Sequence, residues 1–331
     1  DRAQMTFAQL ADYYKEKYLI EPVYAGDRKI TGLRGAYKYK ILLETLKDYF
    51  GTKKIRSITH GDIESFRLKR LTTPTKHTQE KPKEEQKSLS LATVNRELSL
   101  LRRMFAIAHR EGWINKTPFF ASDKIISIAD EKKRERILTK DEEKLLLENC
   151  AGSRTHLKPI IICAVDTGMR AGEIFSLTWK DIDLEKGIIT IAALNTKTLQ
   201  LRQIALTTRL NLLLGELFLV AQRNKNYLES LVFGLKSVHT SFAGLRKDCG
   251  LADVRFHDLR HTAATRLIQQ GLSIQEVGRI LGHTQANTTY RYINLTLDTV
   301  RRAASALDAF HEETKPQEKE QEEAKEKEYI S

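Results

Sequence analysis

The stretch from His257 to Tyr292, HDLRHTAATRLIQQGLSIQEVGRILGHTQANTTYRY, constrains this chain more than any other. Its punctuation leaves room for two short helices joined by a tight turn. Gly271 stops the first as a C-cap, and Ser273 with Glu276 forms a capping box that starts the second. Gly282 ends that second helix and delivers His283 just past its terminus. His257 and Arg260 point the same way, because side chains at i and i+3 share a helix face. Asn287 then opens a short segment carrying Thr288, Thr289, Tyr290, Arg291 and Tyr292. A guanidinium, two imidazoles and a phenol gathered in this way could all serve one phosphate.

Upstream stand TGMRAGEIFSLTWKDID at 167–183 and a lysine within NTKT at 195–198. With HDLRHT, LGH and TTxxY, these segments resemble the signature of the tyrosine recombinases, or phage integrases. The order Arg170, Lys197, His257, Arg260, His283, Tyr292 reproduces the family's catalytic set without a substitution. One HxxR pair alone would be weak, but six residue types in the family's order and spacing are specific. The resemblance is tight over 139–310 and looser, mainly in helix pattern, over 6–120.

The resemblance implies a protein nucleophile that keeps the DNA phosphate as an ester, so that resealing is the same reaction run backwards. Tyr292 lies nine residues after His283, the family's register, and is the expected nucleophile. Tyr290 fits that register poorly and is read as packing. Arg170 and Arg260 would brace the non-bridging oxygens of the transition state, His257 and His283 would add donors, and Lys197 would be the general acid. Glu173, on the helix expected after Arg170, would orient an arginine or histidine; a plain surface glutamate is an equal reading. No cofactor and no metal are expected. The implied partners are double-stranded DNA recombination sites and three further copies of the chain, a tetramer on DNA that passes through a Holliday junction. Accessory DNA-bending or directionality factors are candidate partners. The expected task is integration or excision of a mobile element or prophage, with Xer-type dimer resolution or a non-catalytic DNA-binding relative as alternatives. Type IB topoisomerases share similar chemistry, but the basic helical N-terminal region and the chain's size favour a recombinase.

Charge agrees with a polyanionic partner. The 331 residues carry a net +12, with 41% hydrophobic residues, as in a globular protein rather than a disordered one. Residues 311–331 hold eight Glu and four Lys, so the rest of the chain stands near +16. That closing stretch reads as a disordered or frayed tail. Cys150, Cys163 and Cys249 form no CxxC pair, which fits a reducing cytoplasmic compartment beside the nucleoid. No signal peptide and no apolar run of membrane-spanning length is found. The chain opens on Asp1 rather than Met, so a segment missing from the N-terminus is expected; an arm-binding domain there would mark a mobile-element enzyme.

The fold class expected is mainly α: a helical core-binding domain over 1–120, a linker over 121–138, and a mostly helical catalytic domain with a small antiparallel sheet over 139–310. Phe7, Leu10, Tyr14 and Tyr18 mark a first helix, Ala36 to Phe50 a second, and Asp62 to Leu71 a third. Residues 21–35 read as a loop, and 72–88, charged and with two prolines, as a mobile loop. Ser90 caps a long helix with an apolar stripe at Val94, Leu98, Leu101, Phe105 and Ala108. Its other side offers Arg96, Arg102, Arg103 and Arg110 to phosphates, as Lys132, Lys133 and Arg134 do in the linker. Thr139 with Glu142 starts a helix bearing Leu145, Leu146 and Leu147, and His156 to Asp166 reads as a buried helix stopped by Gly168. Short β-branched runs at 188–191 and 202–206 predict a small sheet with Lys197 near a hairpin tip. Leu297 to Phe310 predicts a last amphipathic helix.

A rival reading is a metal-dependent nuclease or peptidase, because His257 and His261 stand at i and i+4. The residue after His257 is Asp258 and no carboxylate cluster accompanies the pair, so His261 is read as a packed or capping side chain.

Overall fold

The computed structural model describes residues 4–25, 28–33, 35–76, 78–119, 125–131, 134, 136–191 and 201–283, with Ser305 and Asp308 as isolated helical positions. Lys132, Lys133, Lys197, Tyr290 and Tyr292, and with them most of the expected helix Leu297–Phe310, lie outside the described residues. The chain divides into two compact units, Asp1–Arg134 and Glu135–Ser331, at a point inside the segment 121–138.

The N-terminal unit is a helical bundle of α1 (Phe7–Tyr18), α2 (Ala36–Phe50), α3 (His60–Thr72) and α4 (Leu91–Arg110). Each start has a local cause. Thr6 with Gln9 and Thr59 with Asp62 form capping boxes, and Ser90 accepts from the Thr93 N–H. The stripe Val94, Leu98, Leu101, Phe105 and Ala108 is wholly buried. Each of its larger side chains contributes roughly 1.5–3 kcal/mol before entropy costs. Phe50 sits between Phe7 and Phe66, with ring centroids 5.4 and 5.3 Å away. Glu97, 1% exposed, receives a two-pronged bond from Arg70, at 2.8 and 2.7 Å, that ties α3 to α4.

Two sequence expectations for this unit are corrected. Residues 21–35 are more than a loop: β1 (Val23–Ala25) pairs antiparallel with β2 (Arg28–Thr31). The β-branched residues Val23, Ile30 and Thr31 with Tyr24, flanking Gly26-Asp27, are an ordinary hairpin pattern, and the glycines masked it. The unit therefore carries a two-stranded ribbon beside its helices. The segment 72–88 is also more ordered than its composition predicts. Its neck is pinned by a Pro74–Ser88 bridge and by Leu89 N–H donating to Thr73 O at 3.0 Å, while Gln86 Nε2 donates to Gln79 and Lys81 carbonyls.

The C-terminal unit contains α5 (Lys140–Glu148), α6 (Leu157–Thr167), α7 (Ala171–Ser176), β3 (Ile182–Asp183), β4 (Ile188–Ile191), β5 (Arg202–Ala205), α8 (Thr208–Ala221), α9 (His239–Asp248), α10 (Phe256–Gln269) and α11 (Ile274–Leu281). The sheet runs in the order β3-β4-β5, all antiparallel, with Ile189 opposite both Ile182 and Ile204. Helix α6 is apolar nearly all round and is the buried centre of the unit, packed on α10 and α8. Of the three leucines at 145–147 only Leu146 is fully buried; Leu145 is exposed because α5 turns one face to solvent. Behind α5, Glu143 takes Arg209 and Arg266, and Arg209 also holds Asp166, so α5, α6, α8 and α10 are joined through one charged cluster. The cysteines carry free thiols, and burial pushes Cys163 up to about 12. Among the described residues no helix is long and apolar enough to cross a membrane.

The bond from Lys53 and those from the Thr59 backbone and hydroxyl hold Asp62 down to about 2. A depressed carboxyl stabilises the fold above its unfolded value, and that contribution is lost as pH falls through the folded one. Asp62→Asn should therefore cost the N-terminal unit about 1 kcal/mol at neutral pH. The gap to wild type should close between about pH 4 and pH 2. Urea unfolding followed across that range checks it; a gap independent of pH would mean that the charge is not its source.

Candidate active site

The site is built where three elements meet the last turn of α11. Helix α6 stops at Gly168, whose φ of +62° only glycine adopts without strain. A Cβ there would lie 2.5 Å from Leu281 Cδ2, so the residue must also be small for α11 to approach. The Gly168 carbonyl accepts from Arg260 Nη1 at 2.7 Å. Arg260 is 2% exposed, and its Nη2 donates to Leu281 O at 2.8 Å and lies 2.9 Å from His283 Nε2. Arg170 caps the N-terminus of α7: its N–H and Nη1 donate to the two Glu173 oxygens at 2.8 and 2.9 Å, and its Nη2 donates to Gly282 O at 3.0 Å.

Gly282, at φ +69°, closes α11 in a turn that brings the His283 N–H to Gly278 O at 2.8 Å. This fixes where the imidazole leaves the helix. Asp258, 1% exposed, accepts from the Arg255 N–H at 2.8 Å and sets the first turn of α10, which carries His257 on the surface. The His257 and His261 rings meet edge to face with centroids 4.9 Å apart. His261 is 6% exposed, so it packs in the fold, as the sequence suggested.

Glu173 is a structural hub. It is 2% exposed and takes Arg170 and, from β5, Arg202, whose Nη2 lies 2.6 Å from Oε2. Burial alone would raise its carboxyl, but the two guanidinia and the Arg170 N–H outweigh this and hold it below its ordinary value. Arg202 Nε donates to Ile280 O at 3.0 Å. The sequence reading passed over Arg202, although a signal existed. It alternates with Ile204 on one strand face, and Ile204 is a core residue, so the arginine also had to turn inward.

Of the six residues expected in the site, Arg170, Arg260 and His283 converge on residues 281–283, and His257 stands one turn before Arg260 on the same helix. Lys197 and Tyr292 fall outside the described residues. Two guanidinia share one carboxylate and a third stands beside them, so the cluster keeps an excess of positive charge at a turn. Fixed donors of this kind suit an anion with several oxygens, and arginine offers them in a planar fork. Among the described residues no three His, Cys, Asp or Glu side chains could share a metal ion.

In the N-terminal unit, Arg96, Arg103 and Arg110 recur every seven residues along α4 and form one exposed stripe, with Arg102 exposed to its side. Arg134 is half-buried.

Residues 136–298 match the phage integrase family. The chain is 33% identical over 169 residues to the tyrosine recombinase XerA of Saccharolobus solfataricus, covering 51% of this chain and 56% of the relative. It is 30% identical over 249 residues to the shufflon-specific DNA recombinase of Escherichia coli, covering 73% and 59%. With the integrase of Salmonella phage P22 it shares 28% over 251 residues, 71% and 62% of the two chains. It thus spans less than two thirds of the length of each of these relatives. Among solved structures, the Tn1549 transposon integrase in complex with a circular intermediate DNA overlays with a TM-score of 0.69 at 21% identity, covering 91% of this chain and 99% of that one. A lambda integrase dimer bound to a COC′ core site gives 0.63 at 18% identity, covering 88% and 96%. These likenesses establish the fold.

Glu173→Gln keeps the shape of the hub and removes its charge, which leaves Arg170 and Arg202 without their anionic partner. Breaking a buried pair from one side costs about 3 kcal/mol or more. Urea unfolding of the full chain at neutral pH should show a loss of that size. A loss under about 0.5 kcal/mol, the range of an ordinary surface change, would mean that Glu173 does not hold the arginines in place.

Proposed function

Because the chain belongs to the phage integrase family of tyrosine recombinases, we propose that it is a site-specific DNA strand transferase that cleaves and rejoins DNA through a 3′-phosphotyrosyl intermediate. The observation that carries this reading is the convergence of Arg170, Arg260 and His283 on the last turn of α11, with His257 on the adjoining helix face.

The proposed step is an exchange of one ester for another. The Tyr292 oxygen attacks the scissile phosphorus and loses its proton, a phosphotyrosyl bond forms, and the bond to the 5′ oxygen breaks. Lys197 donates the proton that the departing 5′ hydroxyl needs. Arg170 and Arg260 hold the non-bridging oxygens as they gain charge, where fixed donors are most effective. His257 and His283 add donors, and one of them assists removal of the tyrosine proton. Glu173 acts through Arg170, as a positioning residue. Reversal of the step on a partner strand reseals the DNA, so neither a metal ion nor a nucleotide is called for.

In the wider reading, the N-terminal bundle is a clamp on the duplex, with Arg96, Arg102, Arg103 and Arg110 on phosphates and Lys132, Lys133 and Arg134 beside it. Four protomers pair two sites, exchange strands through a Holliday junction and work with accessory DNA-bending or directionality factors. Residues Leu297–Phe310 are the segment proposed to dock on a neighbouring protomer. Integration or excision of a mobile element is favoured, because the similarity to the P22 integrase extends over 71% of the chain. Dimer resolution is the second reading, supported by the 33% identity to XerA over a shorter stretch.

Tyr292→Phe should bind its site as wild type does and form no covalent adduct on a suicide substrate, whereas Tyr290→Phe should form one. Denaturing gels run with EDTA and without nucleotide read both points. An adduct retained by Tyr292→Phe moves the nucleophile elsewhere, and a strict need for a divalent ion in cleavage sinks the mechanism.

A further inference from the structure

The N-terminal unit carries one element that its core does not use. The β1–β2 hairpin stands between α1 and α2, and Val23, Tyr24 and Ala25 are all exposed. None of the described residues of either strand belongs to the buried core of the bundle. Ile30 is 63% exposed and Val23 52%, large values for β-branched side chains. An isolated two-stranded ribbon is marginal in water, so a ribbon that turns apolar side chains outward gains most when something covers it.

The hairpin is nevertheless held at its base. Leu33 N–H donates to Ile20 O at 2.9 Å, and Lys29 Nζ donates to Gly32 O at 3.1 Å. Gly32 lies at φ +82°, and a Cβ there would come within 2.1 Å of Glu21 O. The two legs of the ribbon therefore cross too closely for any side chain. Tyr24 pairs with Lys29 across the strands, so the two share a face. The register then slips by one residue, and Ile30 is the extra residue of a bulge, which tightens the twist of the ribbon.

Charge indicates what covers it. Residues 17–41 hold six cations, two carboxylates and four tyrosines. One of the two carboxylates, Glu21, is met by Lys40 at 3.8 Å. The basic stripe of α4 reaches the same end of the bundle, where Arg110 donates to Tyr18 Oη at 2.9 Å. A polyanion with a groove fits this surface better than an apolar protein partner does.

We propose that the hairpin is a DNA-reading ribbon that enters a groove of the recombination-site duplex, with Lys29 on the backbone and Tyr24, Val23 and Ile30 against base edges. This rests on the recombinase reading above. A two-stranded ribbon fits the major groove, about 12 Å wide, and apolar side chains there recognise the thymine methyl. The hairpin adds sequence discrimination to a bundle whose arginine stripe supplies non-specific affinity.

The test uses the full chain and a duplex selected by the wild-type protein from a random-sequence pool, beside an unrelated duplex. Tyr24→Ala and Ile30→Ser should each weaken binding to the selected duplex about tenfold and leave the unrelated duplex unchanged. Lys29→Ala should weaken both alike and lower the salt slope by about one. Hydroxyl-radical footprints should lose one contiguous block of protection, with circular dichroism and melting temperature unchanged. Variants that bind and protect as wild type does overturn the proposal. So does an intact footprint with lost multi-protomer assembly, which would make the ribbon a protein contact. If the wild-type protein selects no duplex at all, the recombinase reading itself fails.

Discussion

The C-terminal turn of α11 is the interaction on which the rest of the C-terminal unit depends. The last carbonyls of a helix have no partner within it and carry the negative end of its dipole. Here three consecutive ones, from Ile280, Leu281 and Gly282, are taken by Arg202, Arg260 and Arg170. The three arginines come from β5, α10 and the start of α7, so one helix end fixes a strand and two helices against each other. Gly168 and Gly282 make this possible, the first by letting Leu281 come close and the second by turning the chain. The site is therefore a by-product of how a helix end is satisfied, and its positive charge has a structural origin.

The two units solve the problem of burial differently. In the N-terminal bundle, aromatic rings fill the centre, and the one buried carboxylate, Glu97, among the described residues there is met by a two-pronged arginine bond. In the C-terminal unit the apolar helix α6 fills the centre, and the buried charge is gathered into two clusters. In one, Glu143 and Asp166 with Arg209 and Arg266 tie four helices together; in the other, Glu173 ties the arginines of the site. Carboxylates neutralise the first cluster more completely than the second. That difference, more than the number of arginines, marks which cluster suits an anion.

Much of this was legible in the sequence where local chemistry decides. The capping boxes at Thr139 and Ser273, the stops at Gly168 and Gly282 and the α4 stripe all follow from short-range rules, and the structure has them. What was missed depends on alternation or on distant partners. The hairpin over 23–31 hid among glycines, because three- and four-residue strands give a period-2 pattern too little length to stand out. Arg202 was read only as part of a strand, and its partner 29 residues earlier, Glu173, shows that it faces inward. The run Leu145, Leu146 and Leu147 left open which side chain turns inward, because a helix can bury only part of such a run.

The arginines of the turn are structural as well as charged, and they differ in how tightly they are held. Removing Arg260 would leave the Gly168 and Leu281 carbonyls without this partner in a closed interior, and each orphaned acceptor costs about 1–3 kcal/mol. A loss of activity in such a variant would mix folding with chemistry. Arg170 differs, because a quarter of its side chain reaches solvent while Arg202 is 9% exposed. A guanidinium bound to a neutral carbonyl at a solvent edge can exchange that acceptor for an anionic one, which adds charge–charge attraction and can accept in two prongs. Arg260, by contrast, gives up a buried carbonyl if it turns. The geometry thus grades the three: Arg202 holds the turn, Arg260 holds it and also reaches His283, and Arg170 is the arginine most free to take an incoming anion.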